Sequence, residues 1–173
     1  MESDMKKVGV LAAMTLAEIG FVSDLEAFFN SVVKLLENGT AGSVYPWVTE
    51  KLYRRSLKEN ELILVKQQLD EIQDIFSRSK PSSVNLVDMG LVIEKTTFDM
   101  SAKNLSTLFK RVFEAYAEAL ECSVVYRQAF NEYIPVRLGI TDAPYYINDV
   151  NRPESEYESL DRHSLPFWLS ERG

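Results

Sequence analysis

The stretch "LILVKQQLDEIQDIF", residues 62–76, restricts the possible folds more than any other part of the chain. Its residues Leu62, Val65, Leu69, Ile72 and Phe76 recur at alternating spacings of three and four, which lines them up along one side of a helix. Most positions between them are polar or charged, so the helix has one face to bury and one to leave in water. Two heptads are too few for a stable coiled coil, and the seam must therefore pack on other elements of the same chain. That requirement predicts a helix lying on a sheet. With 173 residues, 46% of them hydrophobic, the chain can close one well-buried core.

The other elements follow from local patterns. "KVGVLAAM", residues 7–14, is the apolar run of a strand covered on both faces. Ser23 and Glu26 form a capping box ahead of a helix carrying Leu25, Phe29, Val32 and Leu36, and Asn38-Gly39 stops it. Pro46 suits the first turn of a short helix reaching Leu52. A second box, Ser56 to Glu59, opens the seam helix. After the polar breaker "SRSKPSS", the run "VNLVDMGLVI", residues 84–93, reads as one strand or a strand bulged at Gly90. A helix covers Asn104 to Leu120. From Ser123 to Ile140 the β-branched and aromatic content predicts one or two more strands, with helix open for the middle and Pro135 favouring an edge. The expected fold is a single-domain α+β structure, a small mixed or antiparallel sheet packed with about four helices. It spans residues 1–140, with residues 141–173 as an acidic, aromatic C-terminal extension docked on it.

Charge and cysteine content narrow the function. Nineteen basic against 26 acidic residues give a formal net charge of -7, which disfavours nucleic acid as the main partner and leaves room for a basic protein. Cys122 and His163 stand alone in their types, so no disulfide and no Cys/His metal cluster can be assembled, and no cofactor is implied. Lys6 and Lys7 before an apolar run imitate a secretion signal. Glu2, Asp4 and Glu18 spoil it, and no run reaches the roughly 20 apolar residues of a membrane span. A cytoplasmic protein, monomeric or weakly dimeric, fits these features.

The loop "ENGTAGSVYPW", residues 37–47, is the one glycine-rich motif. Its glycines follow a helix instead of a strand, their spacing matches no phosphate-binding fingerprint, and no Lys-Ser/Thr pair follows. Glu37, Gly39, Gly42 and Pro46 therefore read as a structural turn. No catalytic residue is assigned, since neither Cys122 nor any serine has a recognisable base beside it. The extension is different in kind. From Thr141 onward seven acidic residues face three basic ones. Asp149, Glu154, Glu156, Glu158 and Asp161, with Tyr157 and Trp168 as aromatic anchors, are the candidate partner-binding residues, because opposed potentials steer association and aromatics dominate interface energetics.

The quoted turn also carries a resemblance. "KVGV", then a helix ending in "LENGTAGSVYP", then Leu52-Tyr53 and Leu57 resemble bacterial immunity proteins of polymorphic toxin systems, in particular the immunity protein 70 family. Val84 to Asp88 and the Leu/Phe-rich helix from Leu105 to Leu120 extend the resemblance over residues 6–122. Arg54 and Val44 stand where that family's pattern often has Gly and a basic residue. The resemblance implies an antidote that binds and neutralises a cognate toxin domain without catalysis; the expected mode is occlusion of the toxin's active site or substrate groove, and the acidic extension suits a toxin with a basic cleft. The alternatives are a small hydrolase or enzymatic antidote using surface carboxylates, and an adaptor that self-associates through the Leu62–Phe76 seam.

Overall fold

The computed structural model describes residues 6–13 and 15–141. Three strands form one antiparallel sheet in the order β2-β1-β3: β1 is Lys7–Ala12, β2 is Thr15–Phe21 and β3 is Arg137–Ile140. β1 lies in the middle and is buried from Val8 to Ala12, which is why its sequence is apolar without alternation. β2 was absent from the sequence reading. Its register explains why: Val8 pairs with Gly20 and Gly9 with Glu18, so Ile19 is an extra residue and the alternation of two is broken. A Cβ on Gly9 would press against the Ala17 carbonyl, so this bulge needs a glycine on the facing strand.

Five helices accompany the sheet among the described residues: α1 (Val22–Leu36), a π-helical turn (Trp47–Leu52), α2 (Leu62–Ser77), α3 (Leu105–Leu108) and α4 (Lys110–Phe130). Both predicted capping boxes are displaced. At α1 the Phe21 N–H donates to Asp24 Oδ2 at 3.0 Å, and Ser23 lies inside the first turn. At α2 the Lys58 N–H donates to Glu61 Oε1 at 2.8 Å, because the extended backbone that precedes a helix occurs at Lys58. The seam of α2 is buried at all five predicted positions, but against α3, the π-helical turn and α4; the sheet is covered by α4 and α1, so the expectation of a seam lying on the sheet is corrected.

Two further expectations are corrected. Residues 84–93 form no strand; their amides close local turns, with Met89 donating to the Asn85 and Leu86 carbonyls and Leu91 to Leu86. Residues 123–130 continue α4, and Arg137–Ile140 alone is strand, at a sheet edge just beyond Pro135. Propensity at Val124, Val125 and Tyr126 is overridden there by a helix already nucleated and packed.

The elements meet on Phe28. Its fully buried ring packs edge-on against Phe29 of α1, Phe76 of α2, Phe109 before α4 and Phe113 of α4, at centroid distances of 5.3, 6.3, 5.4 and 5.5 Å. α4 is further tied to α2 by the Tyr116 hydroxyl, which donates to the Leu62 carbonyl at 2.8 Å. Burial pushes that hydroxyl well above the ordinary tyrosine range, so it remains a donor. Of the predicted extension, residues 141–173, only Thr141 is described, its N–H donating to the Lys7 carbonyl; the rest, and its docking, lie outside the described residues. Phe28→Ala is expected to lower unfolding free energy by about 3–5 kcal/mol in urea titration, against about 0.5 kcal/mol or less for Ile63→Ala at an exposed site of α2.

Candidate partner-binding surface

The glycine loop is organised by one carboxylate. Glu37 follows α1 and is 1% exposed; its Oε2 accepts the N–H groups of Val44 (3.0 Å) and Tyr45 (2.8 Å) and the Thr49 hydroxyl (3.1 Å). Thr49 Oγ1 in turn accepts the Gly42 N–H at 2.8 Å. Gln68 Oε1 of α2 takes the N–H groups of Trp47 and Val48 at 2.9 and 3.3 Å. Asn38, Gly39 and Gly42 all have positive φ, the conformation that reverses the chain after α1. Pro46 sits at the entry of the π-helical turn. The amides that a phosphate would need are thus engaged inside the loop, which is a connection between α1 and the π-helical turn.

A second loop has the opposite character. Residues 84–104 run from a 3₁₀ turn to α3 with no helix or strand, an unusual length for a compact domain unless the segment serves binding. It is firmly held. Asp24, fully buried at the start of α1, accepts the Thr96 hydroxyl on Oδ1 (2.5 Å) and the Thr97 N–H and hydroxyl on Oδ2 (3.3 and 3.2 Å). Asn30 Nδ2 donates to the Met89 carbonyl at 2.8 Å. Leu91 and Phe98 are buried, the latter with its ring 5.6 Å from Phe109. Around these anchors the loop turns three large apolar side chains outward: Val87 is 56% exposed, Ile93 52% and Met100 41%. Apolar side chains displayed on an anchored backbone suit recognition of another macromolecule, because most of the ordering entropy has been met in advance.

The sequence reading missed this surface because "VNLVDMGLVI" has strand composition. The contrary signal was present in Asn85, Asp88 and Gly90. Asn85 Oδ1 accepts the Asp88 N–H at 3.2 Å, and Gly90 has φ +109°. The candidate residues Asp149, Glu154, Glu156, Tyr157, Glu158, Asp161 and Trp168 lie outside the described residues, as does His163. A cleft of about 170 Å³ between α2 and α4 is lined by Lys66, Asp70, Gln73, Phe113, Glu114 and Tyr116. Lys66 and Asp70 pair with each other at 2.5 Å, and the Tyr116 hydroxyl is committed to Leu62, so these groups already have partners within the chain. Asp24→Ala should lower stability by about 2–4 kcal/mol, by stranding the donors of Phe21, Thr96 and Thr97, and should speed amide exchange at Thr97 more than in β1.

The amino-acid sequence matches the family model of immunity protein 70 over residues 8–123. No curated protein and no solved structure matches the chain significantly. The matched span starts in β1, contains Asp24, the Glu37 loop, α2 and the whole of residues 84–104, and closes inside α4. Since it takes in about two thirds of the chain and nearly every element that builds the core, this protein belongs to the immunity protein 70 family.

Proposed function

We propose that the protein is an antidote that binds a cognate bacterial effector toxin and neutralises it by occluding the active site or substrate groove. The observation that carries this reading is the family match over residues 8–123. The exposed residues of the 84–104 loop supply a surface suited to it. Val87, Ile93 and Met100 enter the interface as its apolar part, held in place by Asp24, Leu91 and Phe98. The acidic residues of the C-terminal extension, Asp149, Glu154, Glu156, Glu158 and Asp161, steer a toxin whose cleft is basic, and Tyr157 and Trp168 anchor it. Binding takes place in the cytoplasm, where the toxin would otherwise act, and uses no cofactor.

Co-expression with the toxin domain of the neighbouring reading frame tests the reading. Rescue of host growth together with a stable co-purifying complex is expected. Rescue without a complex would replace occlusion by an enzymatic antidote, and failure of both would reject the function.

Within such a complex, Val87→Asp combined with Ile93→Asp should weaken binding by about 10- to 100-fold, or about 1.4–2.7 kcal/mol, with little change in Tm because both side chains are exposed. Reversing Glu154, Glu156 and Glu158 to Lys should slow association and flatten its salt dependence; unaltered kinetics would remove the extension from the interface.

A further inference from the structure

The last turns of α4 present a helix face that the described residues leave partly uncovered, with Cys122 at its start packed against the core and Val125, Ala129 and Phe130 exposed. Cys122, Val125, Tyr126, Ala129 and Phe130 are spaced i, i+3, i+4, i+7 and i+8, the spacing of one continuous stripe along a helix. The side of α4 turned into the core, with Val112, Tyr116, Ala119 and Ser123, adjoins this stripe, and beyond Ser123 the helix runs on past the residues that cover it. Along the stripe Val125 is 57% exposed and Phe130 66%, the most exposed large apolar side chain among the described residues. Tyr126 and Phe130 pack ring against ring at 4.7 Å. The end of the helix is fixed: Asn131 takes the left-handed conformation and its N–H donates to the Arg127 carbonyl. Arg127 donates to Asn131 Oδ1 at 2.8 Å and to Glu59 Oε2 at 2.9 Å. An apolar stripe on a rigidly ended helix is the geometry by which helices enter grooves of other proteins.

Charge selects the occupant. Glu121, one turn before Val125, and Glu132, just past Phe130, flank the stripe without an ion pair among the described residues, and Glu118 is satisfied by Arg111 at 2.9 Å. A second copy docked symmetrically would bring these carboxylates toward their own kind. The chain's own extension, with seven acidic against three basic residues, would meet the same repulsion. The stripe also begins where the family match closes, with Cys122 alone inside the matched residues, as suits a contact particular to this protein's own partner.

We infer that the C-terminal end of α4 is a second toxin-binding element, inserting Val125, Tyr126 and Phe130 into an apolar groove of the toxin rimmed by Lys or Arg. The inference rests on the antidote reading above, and it places this contact on a different element from the 84–104 loop.

The test measures binding kinetics of the full chain against the toxin domain recovered from the co-expressed complex. Val125→Ser with Phe130→Ser should raise the dissociation rate by about tenfold or more at unchanged Tm. Glu121→Lys with Glu132→Lys should slow association by about threefold or more at low salt, with the difference shrinking at high salt. If the serine pair fails to fold, the lysine pair decides, since its side chains take no part in the core. A wild-type complex whose kinetics neither pair alters would overturn the inference and leave the antidote reading standing. A wild-type chain that forms no complex would overturn both. Concentration-dependent sedimentation abolished by the serine pair, with toxin binding intact, would assign the stripe to a second copy and overturn the inference.

Discussion

The ring of Phe28 is where the chain's separate amphipathic patterns become one core. It touches aromatic rings from α1, α2, the residue before α4, and α4 itself. Each helix alone has a face it cannot leave in water, and a three-stranded sheet alone is too small to cover them. The edge-on contacts around Phe28 let four large rings share one volume without stacking face to face. Once this cluster forms, α2 and α4 are fixed close enough for Tyr116 to reach the Leu62 carbonyl, while α4 and α1 cover the sheet.

The second constraint is a buried charge. Asp24 caps the start of α1 through the Phe21 N–H and holds Thr96 and Thr97 on the other side of the molecule's long loop. A buried carboxylate is expensive unless its lone pairs are filled, so the loop is bound to return to this point. The outcome is economical in functional terms: the same side chain that starts a core helix fixes the backbone displaying Val87, Ile93 and Met100. Glu37 does similar work through Oε2 at the other end of α1, but its donors come from the adjacent loop and the π-helical turn that follows it, and Val44 is the large apolar residue exposed there. Two buried acids therefore have different consequences, one closing a connection and one supporting a surface.

Much of the scaffold was legible in the sequence because it rests on short-range periodicity. The α2 seam, the doubly covered β1 and the turn at Glu37, Gly39, Gly42 and Pro46 all depend on neighbours a few residues apart. What escaped depends on distant partners. β2 is obscured by the bulge at Ile19, which can be recognised only once β1 is known to pair with it. The end of α4 has strand-forming residues, and only the packing of Val112, Tyr116 and Ala119 explains why the helix runs on to Phe130. Residues 84–93 have the composition of a strand and no strand beside them. The carboxylate that fixes the rest of that loop is more than seventy residues earlier in the chain. The 84–104 surface was therefore hidden for the same reason that it is exposed: Val87, Ile93 and Met100 are left uncovered among the described residues.

Amide hydrogen exchange of the full chain, free and saturated with the toxin of the neighbouring reading frame, tests most directly whether the toxin covers these side chains. Strong new protection is expected between Leu86 and Met100 and at the C-terminal end of α4, with β1 and α2 unchanged. A stable complex in which both regions exchange as in the free protein would contradict it.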